Sequence, residues 1–469
     1  MRLQRALLSR QQVQTVHRNA LRVLEEVGVK VEHEALRRRL GAAGGKADEA
    51  ADVVRFPAPV VERYIAEAPK TPISDGPADV VARVGVFHSR YLDPHDDELV
   101  AFDEARLARY AAMAREFECV QRIGMLGVPF PLADVPPAYQ PLAEKLYAWK
   151  HGLEPDGSVI FTALCEPLLE MSACHAAATG RKIEEVHRAC GYLVSPLRLA
   201  RSECEQFLFF RERGLPMYVG HLPSQGGTAP VTFAGALVLA LAERIFLFLL
   251  QRAFREDVPF SVDGTPATMD MRRGQSCYGR PEMQRLNVAF ADVARFHGCS
   301  CTAHTGLTDA KRPSCEAGAQ KAVGTLIAAL ACGRASVAAG QLGMDEICSP
   351  VQLVLDCDIV ASLRALLAGG DVDEKACAFE EILSVGCGGN FLGTDLTHAR
   401  FRDELWEPLT WAFESTSSWE LSGRPVDVDR ARERVATFER RFVPRTYMDQ
   451  NEEKELRAVI RKAVRRSLV

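Results

Sequence analysis

The segment His221-Leu-Pro-Ser224-Gln225-Gly226-Gly227-Thr228-Ala-Pro230 sets an imidazole beside two adjacent glycines and a threonine, just ahead of an apolar helical pattern that opens at Val231. Free backbone N–H groups at a helix start hold anions. The same residues also make an ordinary turn and cap. Asp263-Gly264-Thr265-Pro266 offers a carboxylate that either faces a bound cation or caps its own turn. Cys299-Ser-Cys301-Thr-Ala-His304 collects two thiols and an imidazole, all zinc-ligand types, and in an extended strand Cys299 and Cys301 share one face. No partner completes the set, and thiols are also small hydrophobes, so no bound metal is expected. Thr308-Asp309-Ala310-Lys311 supplies a cation and an anion in one loop. A quaternary ammonium donates no hydrogen bond, so a site for one needs ring faces and carboxylates. Tyr91, Tyr139, Tyr278 and Phe391 lie in turn-rich stretches suited to that use or to plain packing. No residue stands out as a catalytic acid, base or nucleophile.

These residues need a scaffold, and the pattern supplies one. From residue 123 onward a short β-like run precedes a longer helical run again and again. Strands are expected at 123–128, 159–162, 191–194, 217–220, 260–262, 300–303 and 335–338. Helices are expected at 138–151, 167–178, 199–213, 231–255, 281–296, 315–331 and 351–367. A period of roughly 30 to 40 residues is that of one βα unit. The pattern predicts an α/β fold, a (β/α)8 TIM barrel over 111–400, with an eighth strand not resolved and a long open sheet as the alternative. Residues 1–110 read as an extension of helices followed by strands, including 80–86 and 100–102. Residues 401–469, with Trp406, Trp411 and Trp419, read as a helical tail packed on the barrel or on a second copy, which suggests a homo-oligomer. In a barrel, chemistry gathers where the strands end, which is where the segments at His221–Pro230, Asp263–Pro266 and Thr308–Lys311 fall. No GxGxxG or GxxxxGK[ST] opens any helix, which argues against nucleotide chemistry.

With 469 residues and 47% hydrophobic content the chain can bury a large core. A net charge of −5 implies no basic face, so neither nucleic acid nor an anionic membrane is expected as a partner. The apolar run from Phe233 to Leu250 is broken by Glu243 and Arg244, and so reads as a buried helix rather than a membrane span. The N-terminal residues lack the apolar stretch of a secretory signal, so a cytoplasmic protein with its fourteen cysteines reduced is expected.

Several long segments together resemble the trimethylamine methyltransferase family. They are VLEEVGVKVEHEALRRRL with FPAPVVERYIAEAPK, then GGTAPVTFAGALVLALAE from Gly226 to Glu243, then TDAKRPSCEAGAQKAVGTLIAALACG from Thr308 to Gly333, then QLVLDCDIVASLRALLAGGDVDEKA and VGCGGNFLGTDLTHARFRDELWEP. The resemblance implies a barrel enzyme that moves an N-methyl group to the cobalt of a corrinoid (cobalamin-type) cofactor carried by a separate small corrinoid protein. The founding members carry pyrrolysine. This chain has only ordinary residues, Lys311 being nearest that position, and so resembles the branch that demethylates quaternary amines such as betaines. Loss of a methyl from a quaternary amine releases a neutral amine and needs no general acid. The resemblance leaves Tyr91, His221, Gly226, Gly227, Thr228, Asp263, Lys311 and Phe391 as the expected substrate-binding residues. Two departures from the family pattern, at Ala338–Met344 and at Asn390, point away from glycine betaine itself. Two rival readings are a zinc methyltransferase built on Cys299, Cys301 and His304, and a non-catalytic homologue that binds amines or docks the corrinoid protein.

Overall fold

Valines at 80, 81, 84 and 86 suit a strand buried on both faces, and Asp79–Val86 forms such a strand, β1, in a computed structural model that describes residues 6–157, 160–264 and 266–466. Further along the chain come β2 (Val120–Met125), β3 (Glu154–Pro155), β4 (Cys190–Leu193), β5 (Tyr218–His221) and β6 (Arg334–Ala338). The order β6-β1-β2-β3 is parallel throughout, and β4 pairs with β5 in parallel. Two extended segments continue the first group. Ala338 N–H donates to Gly306 O at 3.1 Å and Val262 N–H to Ser300 O at 2.9 Å. Gly264 makes a single parallel bridge to Ala303.

The fold is therefore mixed α/β with parallel strands, as expected. The ladder, however, forms two arcs, and no closed barrel of hydrogen-bonded strands exists among the described residues. Proline explains part of the interruption. Pro155 ends β3, and Pro259 and Pro266 flank the 260–264 segment, and none has an N–H to donate.

The expected strands 191–194, 217–220 and 335–338 agree with β4, β5 and β6 to within one residue at each end, whereas 123–128 starts three residues earlier, at Val120. The expected strand 159–162 begins at Val159, outside the described residues, and Thr162–Leu164 is a turn of 3-10 helix. The largest difference concerns 80–86. Assigned from sequence to the N-terminal extension, this stretch is the strand between β6 and β2, so the sheet crosses the expected boundary at residue 110.

The helices that matter below are α1 (Arg10–Arg22), α2 (Gln140–Lys150), α3 (Cys165–Thr179), α4 (Phe233–Arg252), α5 (Pro281–His297), α6 (Cys315–Cys332), α7 (Pro350–Ala368), α8 (Asp427–Arg441) and α9 (Gln450–Arg466). α4 is long and apolar enough to cross a membrane, but 72% of its most apolar stretch is buried within the protein, and it packs against α1 and α5. It is a core helix. The tail folds back, α8 against α7 and α9 against α2 and α3, with His175 Nδ1 2.5 Å from Glu452 Oε1. Between α7 and α8, the helices Phe379–Val385 and Asp395–Glu404 bury no side chain.

Candidate functional site

Side chains alternate along a strand. In β1, Val84 and Val86 are buried under the helices, while Arg83, Gly85 and then Phe87 point to the other side, into a cavity of about 330 Å3. The cavity sits where the parallel strands end. β2 adds Arg122, the turn after β3 adds Asp156, β5 adds Tyr218 and His221, and the two extended segments add Asp263 and His304. Beyond β6, Gln341 and Asp345 complete the wall.

Several of these groups are held by the fold. Arg122 donates to Glu154 Oε2 at 2.9 Å and also pairs with Asp156. His221 Nδ1 lies 3.1 Å from Glu243 Oε2, and that carboxylate also accepts from Ser195 Oγ (2.8 Å) and Leu197 N–H (3.0 Å). Glu243, one of two charges that interrupt the apolar run, is fully buried and ties α4 to the strand ends. Asp263 accepts from Ser261 Oγ at 2.5 Å and lies 3.8 Å from Arg244, while its Oδ1 is buried and meets no hydrogen-bond donor among the described residues. His304 is fixed through its backbone by Asn287 of α5, its carbonyl accepting from Nδ2 at 3.0 Å. Burial lowers its imidazole to about 4, so the ring is neutral at pH 7. The edge of Tyr278 packs on that ring with centroids 5.3 Å apart.

Asp345 owes its position to backbone strain. Gly343, Met344 and Asp345 are all left-handed, with φ of 61°, 57° and 67°. Two consecutive non-glycine residues in this region are uncommon, and such strain persists only where the surroundings impose it. Here Gly343 N–H donates to Ala310 O (2.7 Å) and Met344 N–H to Thr308 O (2.9 Å), inside the hairpin Gln341–Leu342/Ile347–Cys348. The Tyr278 hydroxyl bonds to the Asp345 carboxylate, whose Oδ1 is buried without a hydrogen-bond donor among the described residues. Burial pushes this carboxyl up to about 6. Beneath the hairpin, the fully buried Lys321 of α6 bonds Asp356 of α7 at 2.5 Å and Ala338 O at 2.9 Å. Asp356 also accepts from Gly340 N–H at 2.8 Å. This pair clamps the turn that leads from β6 to Asp345.

Of the residues expected to bind substrate, His221 and Asp263 line the cavity. The others lie elsewhere. Tyr91 is 4% exposed and packs edge-on against Phe102, centroids 5.4 Å apart. Its strand, Arg90–Leu92, buries the ring in the core. Gly226, Gly227 and Thr228 form a tight turn, with Gly227 N–H donating to Ser224 O (2.9 Å) and Ser224 N–H to Thr228 Oγ1 (2.9 Å). The helix they were expected to open is capped instead by Thr232, whose Oγ1 accepts from Gly235 N–H, so that turn presents no helix start to a ligand. Lys311 is exposed and donates to Asp309 O (2.6 Å). Phe391 sits on the exposed segment ahead of Asp395–Glu404. Tyr139 is buried away from the cavity, while Tyr278 reaches its wall through Asp345.

The Cys299/Cys301/His304 cluster does not converge. Cys301 turns into the core toward Cys332, and burial pushes the Cys299 thiol up to about 11. His304 instead faces the cavity. Among the described residues no three His, Cys, Asp or Glu side chains are placed to share a metal ion.

Sequence reading missed Arg83, Phe87, Arg122, Asp156, Tyr218 and Asp345. A signal existed for Arg83: it is the one charge inside the run Val80-Val-Ala-Arg-Val-Gly-Val86. A charge among valines marks the strand face that meets water rather than the core.

The sequence model of the trimethylamine methyltransferase (MTTB) family matches residues 3–80 and 169–467. The chain is 24% identical to trimethylamine methyltransferase MttB of Desulfitobacterium hafniense (strain DSM 10664 / DCB-2) over 457 residues, 93% of this chain and 90% of that protein. It is 26% identical to glycine betaine methyltransferase of Desulfitobacterium hafniense (strain Y51) over 435 residues, 87% of this chain and 88% of the relative. A shorter match, 32% identical over 203 residues, joins it to trimethylamine methyltransferase MttB1 of Methanosarcina acetivorans, covering 43% of this chain and 41% of that one. The match runs through the α4 and α6 segments and the tail that carried the resemblance in the sequence, and the chain belongs to the trimethylamine methyltransferase family.

Proposed function

We propose that this protein is a methyltransferase that takes an N-methyl group from a small quaternary amine of the betaine type and passes it to a corrinoid held on a separate small protein. The observation that carries this reading is the cavity. It joins the rings of Phe87 and Tyr218 to the carboxylates of Asp263 and Asp345, each with a buried oxygen that meets no hydrogen-bond donor among the described residues. Such a wall attracts a cation through charge and ring faces and asks no N–H of it. About 330 Å3 is at the small end of ligand sites, right for a small amine, and leaves a macrocycle outside, over the mouth. A corrinoid bound at that mouth would supply the nucleophile for the methyl group.

The chain's own task is to bind, align and exclude water. A quaternary substrate departs as a neutral tertiary amine, so no proton has to be delivered. The neutral His304 suits that need, since it has no proton to give as an acid at pH 7. On this reading the two arcs of parallel strands are parts of one (β/α)8 barrel, the catalytic body, with 401–469 as a helical tail and the N-terminal helices on its outside. We place the protein in the cytoplasm. We also assign the exposed apolar side chains at Phe379, Ile382, Leu383 and Phe401 to contact with a second copy, because the helices that carry them bury nothing and lack tertiary support.

Purified protein incubated with free cob(I)alamin and a panel of methylated amines tests the reading by the spectral change on methylation. Turnover with quaternary amines and little with trimethylamine is expected. Equal rates on trimethylamine, or no turnover on any quaternary amine, would remove it.

A further inference from the structure

The register of β1 and β2 has a chemical consequence. Arg83 and Arg122 are direct partners across the parallel pair, so two guanidinium groups stand on one face about 5 Å apart at the backbone. Like charges placed this way repel. Arg122 is neutralised by Glu154 and Asp156. Arg83 is not: among the described residues no hydrogen bond or ion pair engages its guanidinium, although it lines the cavity. On its other side the register partner is Ala338, which leaves its fork uncovered. Asp263, across the same cavity, is 3.8 Å from Arg244 and makes no ion pair with Arg83 among the described residues.

We propose that Arg83 is the receptor for an anionic tail on the substrate, a carboxylate held by its guanidinium fork, and that it makes the enzyme select zwitterionic over purely cationic quaternary amines. The cavity is then polarised. The substrate's carboxylate sits against β1 and β2, and its ammonium is turned toward Tyr218, Asp263 and Asp345. Planar guanidinium matches planar carboxylate with two parallel hydrogen bonds, which fixes direction as well as affinity. This takes over the part that the Gly226–Thr228 turn and Lys311 were expected to play. The inference rests on the proposed function for the cation end alone, because the anion end stands on the unpaired arginine.

Calorimetric titration of the purified protein separates the two, with no corrinoid needed. The probes are glycine betaine, a longer trimethylammonium carboxylate, tetramethylammonium, and acetate, against wild type, Arg83→Met and Arg83→Lys. Wild type should prefer the zwitterions. In Arg83→Met the affinity for zwitterions should fall roughly tenfold to hundredfold, the range for a lost charge-assisted pair. Tetramethylammonium should bind Arg83→Met at least as well as wild type, since a like charge has gone. Arg83→Lys should recover part of the loss, which also shows that the site is still folded. An unaltered zwitterion-to-tetramethylammonium ratio in Arg83→Met overturns the proposal and leaves the methyltransferase reading intact. Acetate binding that depends on Arg83, with no binding of any quaternary amine, supports the anion site and removes the quaternary-amine reading.

Discussion

Asp345→Asn should make the protein more stable and a poorer binder at the same time. Burial raises the Asp345 carboxyl from 3.8 to about 6, against the pull of Lys321 and the Tyr278 hydroxyl. A carboxyl with a raised folded-state value favours its protonated form, so its contribution is fully present below 3.8 and is lost as pH rises through about 6. At about 1.4 kcal/mol per unit, the ionised group costs up to roughly 3 kcal/mol at pH 8. Asparagine keeps the shape and the Tyr278 contact without the charge. For a chain of this length the unfolding entropy is on the order of 1 kcal/mol per degree, so Tm should rise by at most about 3 °C at pH 8 and by almost nothing at pH 4. Binding should move the other way. The affinity of wild type for tetramethylammonium should increase as pH rises through about 6 and the carboxylate ionises. The variant should bind more weakly at pH 8 and lose that step. Differential scanning fluorimetry and calorimetric titration across pH 4.5–8 measure both. A lower Tm for Asp345→Asn at pH 8, or a wild-type affinity flat across this range, would refute the placement of an ionisable carboxylate against the bound cation.

Other outcomes follow from the same geometry. Glu243→Ala, which strips the partner from His221 Nδ1, Ser195 and Leu197 at a fully buried position, should cost about 3 kcal/mol or more in urea unfolding and weaken substrate binding. Lys321→Met leaves the fully buried Asp356 without its cation and should cost about 3–5 kcal/mol, while the double change Lys321→Met with Asp356→Leu should recover much of the loss. Tyr91→Ala should lower stability by about 3–5 kcal/mol through a core cavity, whereas Phe391→Ala, at an exposed site, should change neither Tm nor KM appreciably. A rise in KM for Phe391→Ala with unaltered stability would return that ring to the substrate.

Much of the fold was legible because its causes are local. Valine-rich runs, helix caps and the βα period repeat within a few tens of residues, so β4, β5 and β6 and the core helix α4 could be placed from sequence. Family membership was legible for a related reason: segments such as 226–243 and 308–333 combine a turn, a helix face and its packing in one continuous stretch. His221 and Asp263, which line the cavity, could be singled out because each stands at the end of a β-like run legible in the sequence.

What sequence could not determine was who stands next to whom. β1 lies between strands that begin 41 residues after it and 255 residues after it, and a parallel pair gives no hairpin turn to announce the partnership. Without that register, Arg83 is an ordinary arginine in a valine run, and its juxtaposition with Arg122 is invisible. Asp345 depended on a left-handed turn held by loop carbonyls from 308 and 310, and the role expected of Gly226–Thr228 was lost because Thr232 caps α4 instead. Sequence determined which elements form, because propensity and period act over short range. Tertiary structure decided which charges share a cavity, because charge pairing and burial depend on distances that only the packed chain sets.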